Sequence, residues 1–227
     1  MKSLKKMALM LNFGIRKETN FEKYIASTYD KRFKKFGPKP EASMWFCKLR
    51  QNARFALAAN HIFKNQSSGS IIADVGCGYG AFLNYLDVKY SSRNFYYNGY
   101  DISEQVIEYC KKFNSTKVQF YSGSSPAFLS DFVVMSGTYN FAPTRSAENW
   151  ENYVFSSLSK SWKRTKSALI FNLMVASETH ISDGSIFYAN LETMKQKCAS
   201  KFGKVSVLSN HILKNEATLV IERMEMC

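Results

Sequence analysis

The stretch Ile71-Ile72-Ala73-Asp74-Val75-Gly76-Cys77-Gly78-Tyr79-Gly80 decides the fold. An apolar run enters three alternating glycines, and Phe82, Leu83, Tyr85 and Leu86 beyond them mark a helix. Glycines at a strand exit let the backbone turn sharply and let a ligand lie directly against it. A second apolar run over 95–100 ends at Asp101, one βαβ unit further on. A carboxylate there can accept hydrogen bonds from both hydroxyls of a ribose. The pair points to an adenosine-containing cofactor.

Two cofactor chemistries compete for this loop. Residues 76–81 satisfy the dinucleotide pattern G-x-G-x-x-G/A as well as a G-x-G-x-G loop. Asp74 separates the two. It stands two residues before the first glycine, where a pyrophosphate would rest against the helix N-terminus. A carboxylate repels that anion and suits a ligand carrying an ammonium and a sulfonium. S-adenosyl-L-methionine has both charges, a ribose and no phosphate. A nicotinamide-dependent oxidoreductase is disfavoured on the same ground. The plain structural alternative is that Asp74 only caps the glycine loop through backbone N–H groups.

The segment from Asp74 to Gly80 resembles the first motif of the Rossmann-like (class I) S-adenosylmethionine-dependent methyltransferases, and Tyr100-Asp101-Ile102-Ser103 is similar to their second motif. The resemblance covers the chain from about residue 43 to its C-terminus. It implies an α/β three-layer sandwich with a mostly parallel seven-stranded sheet and a C-terminal antiparallel hairpin. It implies cofactor contacts from Asp74, Gly76, Cys77, Gly78, Gly80, Asp101 and Ile102, and from Ser136 at the end of the fourth strand. Many members hold the adenine amino group with an acidic residue after the third strand; here Ser124 follows Gly123, and a serine hydroxyl or a backbone carbonyl would have to accept that bond.

The fourth strand ends Met135-Ser136-Gly137-Thr138-Tyr139-Asn140-Phe141, and the resemblance implies that this end lines the active site. Tyr139 and Asn140 offer hydrogen-bonding groups there. The segment lacks the Asn/Asp-Pro-Pro-Tyr motif of many amino-group methyltransferases of nucleic acids and proteins, which argues for a small-molecule hydroxyl or amine as acceptor. Glu178, His180, Asp183 and Tyr188 follow the fifth strand, and His180 is the candidate base, since imidazole titrates near neutral pH.

The remaining elements follow from periodicity. Ser43 is expected to cap a helix running to about residue 63, with Trp45, Phe46, Leu49, Ala53, Ala56, Leu57 and Phe63 near helical spacing. Strands are expected over 118–121, 132–135 and 168–175. A helix carrying Trp150, Tyr153, Val154, Leu158 and Trp162 separates the last two. A further helix carries Leu191, Met194, Cys198 and Phe202, and strands over 205–208 and 217–222 close the chain.

Charge is uneven. Residues 1–65 hold fifteen Lys and Arg against four acids, so they carry +11 of the total +13. Residues 1–42 are therefore expected to form a basic, helical N-terminal extension, a candidate lid over the cofactor through Tyr24 and Tyr29, ahead of a catalytic domain over 43–227. Such charge attracts nucleic acid, a membrane surface or a phosphorylated metabolite, or simply solvates a face. No nucleic-acid-binding motif accompanies it, so an RNA-directed enzyme, or a non-catalytic protein holding a polyanion, ranks second to a small-molecule enzyme. Five scattered cysteines without a C-x-x-C pair indicate neither a zinc site nor a disulfide framework. They suit a reducing, cytoplasmic setting. The apolar run over 7–11 is short for a signal-peptide core, and no stretch has the length of a membrane span.

Overall fold

The computed structural model describes residues 20–44, 47–65 and 68–223. Trp45, Phe46 and residues 1–19 lie outside the described residues, so the expectations for them are not addressed.

The first described element is a helix over 20–36, α1. Phe21, Ile25, Tyr29 and Phe33 recur every fourth residue and form one stripe along it. It stops at Gly37, which takes φ 66° and donates its N–H to the Phe33 carbonyl at 2.8 Å. Pro38 and Pro40 then forbid continuation. Residues Pro40–Ser43 make a single 3₁₀ turn closed by Met44 in the left-handed region. The second helix, α2, accordingly spans Lys48–Asn65 rather than starting at Ser43.

Strands and helices then alternate. They are β1 (Ser70–Val75), α3 (Ala81–Lys89), β2 (Phe95–Asp101), α4 (Glu104–Cys110), β3 (Val118–Ser122) and β4 (Ser130–Met135), followed by α5 (Ala147–Trp162) and β5 (Thr165–Ala176). After β5 come β6 (His180–Ile181), β7 (Phe187–Asn190), α6 (Leu191–Phe202), β8 (Lys204–Leu208) and β9 (Glu216–Glu222). The sheet runs β3-β2-β1-β4-β5, all parallel, and continues with antiparallel β9 and β8. A mostly parallel sheet closed by a C-terminal antiparallel hairpin is the arrangement that the resemblance implied.

One feature exceeds the seven-stranded expectation. The polar segment after β5 is not a plain loop: β6 and β7 form a short antiparallel hairpin, giving nine strands in the sheet. Met174 of β5 pairs with Glu216 of β9 and also with Tyr188 of β7, so the hairpin joins the opposite edge of β5, past the point where β4 ends. Phe187 N–H donates to the Asn140 carbonyl at 2.8 Å, tying this hairpin to the exit of β4.

The period of two along the strands divides the core. Ala73 and Val75 of β1, Val133 and Met135 of β4, and Leu169 and Phe171 of β5 face one cluster, with Trp150, Val154 and Leu158 of α5 and Ile25 of α1. Ile72, Phe132, Val134, Ala168 and Ile170 face the other, with Phe55 and Ile62 of α2, Phe82 and Leu86 of α3, and Ile107 of α4. Helices thus cover both faces of the sheet, and the polar strand exits gather at one end. Among the described residues no helix is long and apolar enough to cross a membrane.

Candidate active site

A cleft opens at the carboxyl ends of β1, β2, β3 and β4, where an open α/β sheet places its ligands. Its floor is the loop after β1. Gly76 and Gly78 take φ 77° and 53°, which non-glycine residues rarely adopt. A Cβ on Gly78 would come within 3.2 Å of Ser43 Oγ, so a side chain there would fill the cradle beneath the 3₁₀ turn.

Two carboxylates flank the loop. Asp101 sits at the end of β2; its Oδ2 accepts from Gly78 N–H at 2.9 Å and its Oδ1 from Ser103 N–H at 2.9 Å. An ionised carboxylate offers about four acceptor positions. Two backbone donors therefore leave room for both hydroxyls of a ribose. Burial raises the Asp101 pKa, against the pull of those backbone bonds. Asp74 is buried at the end of β1, and its Oδ2 accepts from the Tyr97 hydroxyl at 2.6 Å. Burial pushes its carboxyl up to about 7, opposed by the Tyr97 bond and reinforced by Asp101. A cationic ligand group beside this carboxylate would favour its ionised form.

The cleft has a roof. Ile25, Tyr29 and Phe33 of α1 line it from above, together with Ala42 and Ser43 of the 3₁₀ turn. The helix is fastened at several points. Phe21 packs edge-on against Trp150 and Tyr153 at 5.7 Å, Tyr29 packs edge-on against Phe141, and Phe33 against Tyr109. The Ser103 hydroxyl donates to Asp30 and also accepts from Val106 N–H, capping α4. Burial raises the Tyr29 pKa, keeping the phenol neutral.

Most residues expected from the sequence meet here. Asp74, Gly76, Cys77, Gly78, Asp101, Ile102, Ser124 and Ser136 all line the cleft. Gly80 does not; it is the left-handed residue that starts α3. Tyr139 lines the cleft, and its hydroxyl donates at 2.8 Å to Ser157, another lining residue, while burial raises its pKa. Asn140 lies instead in an adjoining chamber, its Oδ1 accepting from Met174 N–H at 3.2 Å. His180 lines neither space. It is exposed on β6, with its ring stacked on Tyr188 at 5.0 Å and its Nδ1 at 2.9 Å from the Glu178 carbonyl.

Sequence reasoning missed Ile25, Gln51 and Ser157 among the lining residues. The stripe repeating every fourth residue in α1 could have revealed Ile25. Thr138, within the strand end expected to line the site, donates its hydroxyl to the Val75 carbonyl at 2.8 Å and braces the β1 and β4 exits.

No family model matches the chain. Among solved structures, DhpI in complex with SAH superposes with a TM-score of 0.56 at 12% identity, covering 88% of this chain and 95% of that one. A SAM-dependent methyltransferase of Leishmania major superposes with a TM-score of 0.60 at 10% identity, covering 87% of this chain and 82% of that one. The fold is the Rossmann-like one of these S-adenosylmethionine-dependent methyltransferases. A curated protein of Mycobacterium tuberculosis, provisionally named as the methyltransferase Rv1506c, is 23% identical over 165 residues, which cover 67% of this chain and 92% of that protein.

Proposed function

We propose that this chain is an active S-adenosylmethionine-dependent methyltransferase whose acceptor is a hydroxyl or amine of a small molecule. The observation that carries this reading is the roofed cleft: a glycine cradle flanked by Asp74 and Asp101 and closed from above by α1. The residues fit the cofactor. Asp101 would take the ribose, Asp74 the ammonium, the backbone of Gly76, Cys77 and Gly78 the amino-acid portion, and Ile102 and Ser124 the adenine side. Ser136 closes the cleft at the β4 exit.

When bound, S-adenosylmethionine supplies a methyl group already activated on a sulfonium. The chain's own part is to hold the acceptor in line and to keep water out, which are the terms that dominate such a transfer. The apolar roof of Ile25, Tyr29 and Phe33 excludes water from the glycine loop. Gly137 N–H donates to Asn172 Oδ1 at 2.6 Å, which fixes the β4 exit against β5. His180 lies away from the cleft, and burial raises the pKa of the Tyr139 phenol, which is bonded to Ser157, so positioning rather than a dedicated base from these two residues supports the reaction.

A roof that closes over the cleft favours a compact acceptor over a nucleic-acid strand. The test is calorimetry with S-adenosylmethionine, S-adenosylhomocysteine, NAD and NADP, followed by transfer of labelled methyl into a library of small hydroxy and amino compounds. Binding of S-adenosylhomocysteine and label in a small product are expected. Preferential NAD binding, or label only in RNA, would overturn the reading.

A further inference from the structure

The chamber beside the cleft shares Tyr29, Ser43 and Gly137 with it. Phe141, Met174, Ile186 and Tyr188 give it apolar walls, the last two supplied by the β6–β7 hairpin and its turn. Arg50, Arg54 and Glu216 also line it. Both guanidiniums bond one carboxylate: Arg54 through Nε and Nη2, and Arg50 through Nη2. The Arg54 and Glu216 side chains are 3% and 1% exposed, so this pair is fixed in place. Glu216 is the sole acid lining the chamber, which leaves two positive charges against one negative.

Two donors there are unmatched. Arg50 Nε is buried without a hydrogen-bond partner. Asn140 is 7% exposed; its Oδ1 is taken by Met174 N–H, which fixes the orientation of the amide, and its Nδ2 is buried without a partner. A buried donor without a partner is costly, and the Arg50 side chain, 37% exposed, carries the chamber's excess positive charge. A single kind of ligand group answers both, one that is anionic and accepts several hydrogen bonds. Guanidinium recognises such groups through planar, paired bonds.

Resting on the methyl-transfer reading above, we infer that the acceptor is an organic oxyanion, a carboxylate or phosphoryl group on an apolar body. Its charged end seats against Arg50 and Asn140, its body lies between Phe141 and Tyr188, and its hydroxyl or amine reaches the cleft past Tyr29 and Gly137. Arg54 and Glu216 are positioning residues that hold Arg50 in its orientation.

The test uses the full chain saturated with S-adenosylhomocysteine and three probes of similar size: benzoate, phenylphosphonate and neutral benzamide. Binding is followed by calorimetry and ligand-observed NMR. At least one anion should bind about tenfold or more tighter than benzamide, and the tighter of the two identifies carboxylate or phosphoryl as the preferred group. Arg50→Met should bring anion and amide close to parity, and Arg50→Lys should restore part of the preference. Asn140→Asp, which sets a like charge in the seat, should abolish anion binding; thermal melting of each variant verifies folding. Equal binding of benzamide and the anions, no binding of any probe, or a preference that survives both Arg50→Met and Asn140→Asp overturns the inference. S-adenosylhomocysteine binding is measured first and separately. If it binds and charge preference is absent, the inference alone fails; if it does not bind, the methyl-transfer reading fails and the inference with it.

Discussion

Asp101 and Asp74 show how two carboxylates on neighbouring strands take different tasks. Asp101 is held by the N–H groups of Gly78 and Ser103, so its orientation is set before any ligand arrives. Asp101→Ala should weaken S-adenosylhomocysteine binding by tenfold or more, since bonds to a charged partner contribute about 1.5–3 kcal/mol each. Calorimetry that returns wild-type affinity would remove Asp101 from the cofactor site. Asp74 bears a stability cost. Its folded-state carboxyl titrates near about 7 instead of 3.8, so the folded state binds the extra proton between those values. The contribution of Asp74 to stability is therefore most favourable below about pH 4 and is lost as pH rises through about 7. That loss is on the order of 4 kcal/mol. Asp74→Asn should raise the melting temperature of the ligand-free protein at pH 8, flatten this pH dependence, and weaken cofactor binding. A variant no more stable than wild type at pH 8 would contradict the account. Gly78→Val should retain the fold and lose cofactor affinity, because the site needs a φ near 53° and an open cradle under Ser43. Normal binding of S-adenosylhomocysteine by that variant would make the loop purely structural.

At the scale of elements, α1 is the part of the structure that turns an open sheet end into an enclosed cleft. Its stripe of Phe21, Ile25, Tyr29 and Phe33 packs partly on α5, partly on α4 and partly over the glycine loop. Ser103 links this roof to the floor: one hydroxyl caps α4 and also bonds Asp30 of α1. Ser103→Ala should cost about 1–2 kcal/mol through loss of the cap. It should also loosen α1, which hydrogen exchange would register as faster exchange over 20–36 with little change in β1 or β4. Unchanged protection over 20–36 would show that the aromatic contacts alone hold the helix. The β6–β7 hairpin acts on the other side, carrying Ile186 and Tyr188 to the chamber and bracing Asn140 through Phe187 N–H. His180 stands opposite Tyr188 in that hairpin, where stacking on it gives the exposed imidazole a packing role.

Charge is spread unevenly over the molecule as a whole, +11 over residues 1–65 and +2 over the rest. The described part of that segment keeps its apolar stripe inward, which leaves Lys23, Lys31, Lys34 and Lys35 of α1 on other faces. Generic RNA should bind weakly, with affinity falling steeply as salt rises, because each neutralised phosphate releases counterions with a slope of about −0.7 for single strands. It should neither accept methyl groups nor compete with a small acceptor. A salt titration run beside a methyl-transfer assay checks both, and salt-sensitive binding together with methylated RNA would favour an RNA-directed enzyme.

The sequence by itself determined the order of elements and the floor of the site. The glycine loop, Asp74 and Asp101 are legible because their signal is local: an apolar run, a turn only glycine makes freely, and a carboxylate at the next strand end. What the tertiary structure decided depends on partners distant in the chain. Tyr97 reaches Asp74 across 23 residues, and Arg54 reaches Glu216 across 162. The β6–β7 hairpin is too short to show a period of two and exists because β5 offers it an edge. The start of α2 moved because Pro40, Glu41, Ala42 and Ser43 close a 3₁₀ turn at the mouth of the cleft. The chamber beside the cleft drew its charge from α2 and β9, its walls from the β4 exit, β5 and the hairpin, and its roof from α1. No window of sequence holds those pieces together, because packing rather than chain order sets their distance.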